Sequence, residues 1–242
     1  MEIKGIILAA GRGSRMNHLT EHKPKCLLKF RSVPLLNHQL TAFKECGIKE
    51  VALVTGYKRE MLSKYNLFQF HNDRWADTQM VYSLTCASDW LEKYDCVISY
   101  SDIFYEPSAI RSLCDSQSDI SLTYDPDWLT LWTKRFDNPL LDAETFRVAN
   151  NRLLEIGGKA SSTDEIMGQY MGLLRFSPIG WRLVTNYLRN LPTNLSNRMD
   201  ITNLLSKLIK NSYDDICAIP YNGAWGEVDH QSDLDLYEQI YK

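Results

Sequence analysis

Long hydrophobic runs are missing from this sequence of 242 residues. No stretch approaches the roughly 18 apolar residues that a membrane-spanning helix requires. The apolar segment 5–10 is also too short for the core of a secretory signal, and it continues directly into the glycine- and arginine-containing segment 11–15. These absences argue against a membrane protein and predict a cytoplasmic protein without a membrane partner.

Closely spaced cysteines are absent as well. The six cysteines show no CxxC pair and no regular spacing, and they stand at Cys26, Cys46, Cys86, Cys96, Cys114 and Cys217. Structural zinc sites and dithiol redox sites both need such spacing. The sequence therefore indicates neither class of site and predicts free thiols in a reducing compartment.

The chain also has no excess of positive charge, because 27 Lys and Arg residues stand against 30 Asp and Glu residues. Nucleic-acid-binding proteins usually carry a basic patch or a high isoelectric point, so we expect no nucleic-acid partner. The charge is nevertheless unevenly distributed. Residues 1–31 hold seven basic and two acidic residues, whereas residues 225–242 hold five acidic residues and one basic residue. The two ends of the chain are therefore opposite in sign.

Short apolar runs alternate with helical patterns over about the first 125 residues. The predicted strands are 3–9, 50–55, 67–71 and 94–101, and the predicted helices are 34–46, 57–65 and 78–91. With 44% hydrophobic residues the chain can also bury a sizeable core. This pattern predicts an α/β fold, in which a doubly wound and mostly parallel sheet carries helices on both faces.

The later half of the chain is less regular. Its patterns predict a hairpin around Asn150 and Asn151, strands at 169–176 and 216–220, and helices at 179–191, 201–211 and 233–241. No repeat, low-complexity tract or Pro- and Gly-rich linker interrupts the chain. We therefore expect one domain over 1–242 with an inserted lid region, rather than two domains.

The loop after the first predicted strand combines small residues with positive charge. Ala9, Ala10, Gly11 and Gly13 would let backbone N–H groups approach a phosphate, and Arg15 and Lys25 would bring charge to it. No Gly-Lys-Ser/Thr ends the loop, so it is not a Walker loop. Met16 stands where the dinucleotide fingerprint requires a third glycine. An ordinary turn is the alternative, but the two basic residues favour a phosphate site.

Two further loops carry isolated acids. Asp102 follows the predicted strand 94–101, where it could be a helix N-cap or a ligand for Mg²⁺. Asp229 lies in the segment 226–230 near the acidic terminus, where a surface turn is the alternative interpretation. Mg²⁺ usually takes one or two protein carboxylates and completes its shell with water and substrate phosphates. The two acids therefore become a metal site only if the fold brings them together.

The N-terminal motif resembles the signature of the nucleotidyltransferase superfamily, whose members activate sugar phosphates and small phosphorylated alcohols. The resemblance lies in Ile7-Leu8-Ala9-Ala10-Gly11-Arg12-Gly13-Ser14-Arg15 and in Lys23-Pro24-Lys25-Cys26-Leu27-Leu28. Within the superfamily, the chain is more similar to the phosphocholine and phosphonate cytidylyltransferases. That similarity is carried by the segments 72–84, 101–102, 165–170 and 225–229.

The resemblance implies a Rossmann-like nucleotidyltransferase fold with 1–125 as the nucleotide-binding half and 126–242 as the acceptor-binding and closing half. It implies Mg²⁺ as the cofactor, held by Asp102 and Asp229, and CTP as one substrate. Arg15 and Lys25 would act as catalytic residues on the triphosphate. The residues implied to bind the nucleotide are Leu8, Ala9, Ala10, Gly11, Gly13, Ser14 and, for the base, Ser83.

The implied reaction is attack of an acceptor phosphate on the α-phosphorus of CTP, with release of pyrophosphate. A phosphate monoester has a second pKa of about 6 and is mostly ionised at neutral pH, so the reaction needs no general base. Catalysis then depends on positioning and charge neutralisation. The basic loop and the acidic terminus would accordingly face each other across one cleft.

Aromatic and acidic residues in the later half suggest an acceptor that carries an alkylammonium group. The candidate acceptor-binding residues are Trp128, Trp132, Arg135, Glu165, Tyr170 and Glu227. Trp128 and Trp132 lie on one face if their segment is helical, and core packing competes with acceptor binding as their role. A CDP-activated headgroup for cell-surface polysaccharide is the expected product, and a phosphorylated amino acid amide is another compatible acceptor.

Three other functions compete with this interpretation. A sugar-1-phosphate nucleotidyltransferase would need a polar acceptor pocket, for which the sequence offers less support. A non-catalytic nucleotide-binding regulator would not need Arg15, Lys25, Asp102 and Asp229 together. An NAD-binding protein is disfavoured by Met16. The sequence leaves the oligomeric state open, including a homodimer.

Overall fold

A computed structural model describes residues 2–213 and 215–241 of the chain, and strands and helices alternate along them. The strands are β1 (Ile3–Ala9), β2 (Lys29–Phe30), β3 (Val33–Pro34), β4 (Val51–Thr55), β5 (Phe68–His71), β6 (Asp95–Tyr100), β7 (Ile103–Tyr105), β8 (Ile120–Asp125), β9 (Glu144–Ala149), β10 (Arg152–Lys159), β11 (Gln169–Phe176), β12 (Ile216–Pro220) and β13 (Trp225–Glu227). The α-helices are α1 (Leu35–Glu45), α2 (Met80–Thr85), α3 (Ser88–Leu91), α4 (Pro107–Asp115), α5 (Trp128–Arg135), α6 (Pro178–Arg189), α7 (Thr193–Asn197), α8 (Ile201–Lys210) and α9 (Gln231–Ile240).

In the described part of the chain, nine strands form one central sheet in the order β5-β4-β1-β6-β11-β8-β12-β10-β9. Strands β5, β4, β1 and β6 are parallel, and so are β8 and β12. Strand β11 is antiparallel to both β6 and β8, and β10 is antiparallel to β12 and β9. The predicted α/β fold with a mostly parallel sheet is confirmed, and strands from both halves of the chain pair in this sheet.

The central strands are buried almost end to end, which is typical of parallel strands covered by helices. Every residue of β4 is buried, and β1 is buried from Lys4 to Ala9. Helix α1 contributes Leu35, Leu36 and Phe43 to the core and packs against α4. No helix in the described ranges is long and apolar enough to cross a membrane.

Several predicted elements are confirmed closely. Strands β11 and β12 have the predicted bounds, and the predicted hairpin is formed by β9 and β10. Asn150 and Asn151 both have positive φ angles, 50° and 60°. Two consecutive residues with positive φ form the type I′ turn that matches the twist of a hairpin, and asparagine tolerates this conformation better than most residues.

Other predicted elements differ from the structure. The helix predicted over 78–91 is two short helices, α2 and α3, because Ala87 between them has the non-helical angles φ −97° and ψ 16°. The segment predicted as a helix over 57–65 is a 3₁₀ helix, Arg59–Tyr65, and left-handed Lys58 and Asn66 delimit it. Strand β8 and helix α4 were not predicted, although β8 is an interior strand of the sheet, between β11 and β12.

Candidate active site

The loop after β1 lies at the edge of the sheet where the parallel strands β1 and β6 end. Leu8, Ala9 and Ala10 are buried, whereas Gly11 and Ser14 are exposed. Gly13 has a φ of +66°, and a Cβ atom there would lie 3.0 Å from the Cδ atom of Lys25. Glycine is thus required at this position by its backbone conformation and by the close approach of the lysine side chain.

Lys25 enters the site from a short 3₁₀ helix, Lys25–Leu27, which begins directly after Pro24. Its side chain is 8% exposed, and its Nζ atom donates to Asp102 Oδ2 at 2.7 Å and to Asp229 Oδ1 at 2.6 Å. Burial disfavours the ammonium form, but the two carboxylates outweigh it and raise the pKa of Lys25. Lys25 therefore stays charged at the centre of the site.

Arg15 contacts the other carboxylate oxygen of Asp229. Its Nη1 atom lies 2.9 Å from Asp229 Oδ2, and its side chain is 59% exposed whereas that of Asp229 is 3% exposed. Burial opposes the ionisation of Asp229, yet Lys25 and Arg15 lower its pKa. The basic N-terminal loop and the acidic C-terminal segment thus face each other across one site.

A two-stranded antiparallel sheet of β7 and β13 brings the acids together. Its register pairs Glu227 with Ile103, and the N–H group of Val228 donates to the carbonyl oxygen of Asp102 at 2.9 Å. Oxygen atoms of Asp102, Glu227 and Asp229 consequently all lie within 4.8 Å of one another. We refer to these three residues as the carboxylate cluster.

The carboxylate cluster fits a hard divalent cation such as Mg²⁺, which prefers carboxylate oxygens. Asp102 Oδ1 is buried and has no hydrogen-bond partner among the described residues, so one ligand atom remains available. Burial and the neighbouring Asp229 and Asp102 raise the pKa of Glu227, because three negative charges in a small volume repel one another. A cation would relieve this repulsion.

A cavity of about 240 Å³ opens beside the carboxylate cluster. Its walls include the aromatic residues Tyr100, Trp132 and Tyr170 and five acids, namely Asp142, Glu144, Asp200, Glu227 and Asp229. Arg15 is the one basic side chain among the described residues that line it. Burial raises the pKa of Glu144, and Asp200 raises it further. The cavity is therefore aromatic and strongly acidic.

The six predicted acceptor-binding residues divide into two groups. Trp132, Tyr170 and Glu227 line the cavity. Trp128 does not, because its indole is buried and its Nε1 atom donates to the carbonyl oxygen of Ile166. The side chain of Arg135 also lies inside the protein, where it pairs with Asp233. Glu165 is half-buried and accepts hydrogen bonds from Ser161.

Ser83, the residue predicted to contact the base, has a hydroxyl group that is already paired. The side chain of Asn72 donates to Ser83 Oγ at 3.0 Å, and Ser83 is 6% exposed. Asn72 also donates to Thr78 and accepts from the N–H group of Arg74. Ser83 is therefore buried against Asn72, and its hydroxyl group helps to hold the Asn72 side chain that bonds within the loop 72–78.

Glu144, Asp142 and Asp200 were not predicted as site residues, and their separate positions in the sequence carried no signal. The role of Glu227 in the carboxylate cluster could have been predicted from the sequence. Alternate residues of an extended chain point to the same side, and Glu227 precedes Asp229 by two positions at the end of β13. Its sequence context had instead predicted that Glu227 binds the acceptor.

A mostly parallel sheet with a glycine-containing loop after β1, and with acids and bases facing each other at the same edge, is typical of nucleotidyltransferases. A model of the MobA-like NTP transferase domain matches residues 5–160, and the chain belongs to this family. The predicted membership of the nucleotidyltransferase superfamily is thereby confirmed.

Individual relatives agree with this assignment. The chain is 35% identical to the CTP:phosphoglutamine cytidylyltransferase of Campylobacter jejuni, over 97% of this chain and 98% of the relative. It is 38% identical to the choline-phosphate cytidylyltransferase of Streptococcus pneumoniae, over 34% of this chain and 38% of that protein. The structure of the inositol-1-phosphate CTP transferase from T. maritima has the same fold, with a TM-score of 0.78, 19% identity and coverage of 99% and 95%.

Proposed function

We propose that the protein transfers a cytidylyl group from CTP to a small phosphorylated acceptor that bears an amine, with Mg²⁺ as cofactor and pyrophosphate as the second product. One observation carries this proposal: Arg15, Lys25 and the carboxylate cluster converge beside an acidic, aromatic cavity. Basic groups suit a triphosphate, carboxylates suit its cation, and the cavity suits a cationic acceptor.

CTP is favoured as the nucleotide by the relatives. The C. jejuni protein, which aligns over nearly the full length of both chains, is named for CTP, and the S. pneumoniae protein is named as a cytidylyltransferase. The glycine-containing loop would approach the triphosphate through its backbone N–H groups, since Gly11 leaves open space where a side chain would project. Arg15, which is largely exposed, would reach the phosphates directly.

The proposed mechanism uses the acceptor phosphate as the nucleophile. Its second pKa of about 6 leaves it ionised at neutral pH, so no residue has to remove a proton. Arg15 and Lys25 would stabilise the negative charge that develops on the leaving pyrophosphate. Asp102, Glu227 and Asp229 would hold Mg²⁺, which would supply further charge neutralisation at the phosphates. Positioning and electrostatics thus account for the chemistry.

The acceptor would place its ammonium group in the acidic cavity. Trp132 and Tyr100 offer aromatic faces, and Glu144 and Asp200 offer negative charge at the wall. A phosphorylated amino acid amide is favoured over phosphocholine, because the similarity to the phosphoglutamine enzyme covers nearly the whole chain whereas that to the choline-phosphate enzyme covers about a third. Both acceptors share the phosphate and the cationic nitrogen.

The test is a panel of nucleotides and acceptors followed by pyrophosphate release. CTP, UTP, ATP and GTP would each be combined with phosphoglutamine, phosphocholine and glucose 1-phosphate, with Mg²⁺ or with excess EDTA. We expect turnover with CTP and phosphoglutamine, weaker turnover with phosphocholine, and none in EDTA. Preferential turnover of UTP with glucose 1-phosphate would contradict the proposal and establish a sugar-phosphate enzyme.

A further inference from the structure

A buried ion pair lies behind the carboxylate cluster. Arg135, at the end of α5, places its Nε atom 3.0 Å from Asp233 Oδ1, and Asp233 lies in the first turn of α9. A second hydrogen bond joins Arg135 Nη2 to Asp233 Oδ2 at 3.4 Å. The side chains are 0% and 2% exposed, so the pair is enclosed by protein.

Asp233 also holds the backbone of the site. Its Oδ2 atom accepts from the N–H group of Asp229 at 2.7 Å and from that of His230 at 2.8 Å. These bonds determine how the chain turns from β13 into α9, and Asp229 lies in that turn. The direction of the Asp229 side chain toward Lys25 and Arg15 therefore depends on the orientation of the Asp233 carboxylate.

Arg135 faces a second member of the carboxylate cluster. Its Nη1 atom is buried, has no hydrogen-bond partner among the described residues, and lies 3.9 Å from Glu227 Oε2. The guanidinium group lies over the rings of Trp132 and Phe136, with centroid distances of 5.0 and 4.9 Å. Trp132 in turn lines the acidic cavity. The Arg135 side chain thus contacts Trp132 in the cavity wall, pairs with Asp233 and lies near Glu227.

We propose that Arg135 is a positioning residue: through Asp233 and through its field at Glu227, it orients Asp229 and Glu227 for cation binding. A buried ion pair is weak support for stability, because the desolvation of both charges offsets their attraction. Two apolar residues would join α5 to α9 without that cost, but they could not fix the backbone N–H group of Asp229. The inference rests on the proposed function in taking the carboxylate cluster as the metal site.

The chain contains a matched control pair. Arg175 and Asp95 also form a buried ion pair, 3.1 Å apart, with each side chain 8% exposed. They join β11 to β6 at the N-terminal end of β6, whereas the active site lies at the C-terminal end of that strand. Substitutions there remove a comparable interaction without contacting the site.

The experiment compares Arg135→Lys and Asp233→Asn with Arg175→Lys and Asp95→Asn in the full chain. Binding of Mn²⁺, without nucleotide, would be followed by the electron paramagnetic resonance signal of the free ion. Exchange of the amide hydrogens of Asp229 and His230 would be followed by NMR. Substitution of residues that orient metal ligands typically weakens metal binding by about 10- to 100-fold. We expect that loss, with faster exchange of both amides, in Arg135→Lys and Asp233→Asn only.

The control variants should lower the melting temperature and leave Mn²⁺ binding within twofold of the wild type, a margin of roughly 0.4 kcal/mol. Equal losses in all four variants would show that general destabilisation explains the effect and would overturn the inference. Unchanged binding and exchange in Arg135→Lys would overturn it as well. If the wild-type protein fails to bind Mn²⁺ without nucleotide, the carboxylate cluster does not bind the free ion, and amide exchange alone then decides whether Arg135 positions the turn.

Discussion

At the scale of single residues, Lys25 has the most constrained environment in the site. It is buried, it contacts two acids from distant parts of the chain, and its Cδ atom lies where a side chain at position 13 would project. A buried ammonium group is costly unless it is paired. The ion pairs with Asp102 and Asp229 are what allow the charged side chain of Lys25 to be buried.

We predict that Lys25→Ala lowers kcat by about 100-fold or more, as the loss of a charge that stabilises a developing anion commonly does. Pyrophosphate release under saturating CTP would measure the effect. Lys29→Ala, which removes an exposed lysine four positions away, is the matched control and should retain normal turnover. An effect of Lys25→Ala confined to the KM for CTP would make Lys25 a binding residue only.

Glu144→Gln should weaken the binding of an amine-bearing acceptor, because Glu144 lines the cavity and would contact the ammonium group. Hydrogen bonds to charged groups contribute about 1.5–3 kcal/mol, so KM for the acceptor should rise at least about tenfold while KM for CTP stays constant. Steady-state kinetics with phosphoglutamine would measure both constants. Glu165→Gln changes a half-buried acid outside the cavity and should alter neither constant.

At the scale of elements, the loop after β1 contains two glycines with different structural requirements. Gly13 has a left-handed backbone and touches Lys25, whereas a Cβ atom at Gly11 meets nothing within 4 Å. Gly13→Ala should lower the free energy of unfolding by about 1–2 kcal/mol, since left-handed backbone is costly for residues with a Cβ atom. Gly11→Ala should change it by less than about 0.5 kcal/mol. Urea unfolding would compare the two variants, and equal losses would contradict this account of the loop.

Strands and helices could be predicted where the sequence pattern that specifies them lies within a few neighbouring positions. Strand β1 and the hairpin of β9 and β10 follow from apolar runs and turn residues within a few positions. The split between α2 and α3 was not, because the pattern of apolar residues continues through Ala87. The antiparallel direction of β11 was also beyond prediction, since its residues would suit either direction and its neighbours β6 and β8 are distant in sequence.

At the scale of the whole molecule, the burial of acidic side chains makes the stability of the fold depend on pH. Burial raises the pKa of Glu144 above 4.5 and the pKa of Asp125 above 3.8. In the interval above these ordinary values, Glu144 and Asp125 hold more protons in the folded protein than in the unfolded chain. The contribution of these two groups to stability therefore falls as the pH rises through the interval, as linkage requires.

The contribution of Glu144 can be isolated by comparison with Glu144→Gln. The free energy of unfolding of the wild type should fall relative to that of the variant as the pH rises from 4.5, and the difference should become constant above the raised pKa. Urea titrations at pH 4.5, 5.5, 6.5 and 7.5 would measure it. A difference that grows in favour of the wild type over this range would show that Glu144 is stabilised as a carboxylate, contrary to its environment.

The opposite charges of the two chain ends also belong to this scale. Arg15 and Lys25 contact Asp229, so the segment 1–31 and the segment 225–242 meet in one site. The resemblance to nucleotidyltransferases implied this meeting, and the opposite charges of the two chain ends agreed with it. Neither predicted that Glu227 joins them, because that depends on the register of β13 against β7.

By itself, the sequence determined the local features: a buried first strand, a glycine-containing loop that requires small residues, and charged residues placed where strands end. These depend on neighbours within a few positions and on backbone preferences. Only the tertiary structure decided which charges meet and which side chains turn inward. Arg135 is the clearest example, because its sequence context suggested an acceptor ligand, whereas Asp233 in the distant helix α9 draws it into the interior. Burial and pairing are set by contacts between segments far apart in the chain, and the sequence around one residue does not contain them.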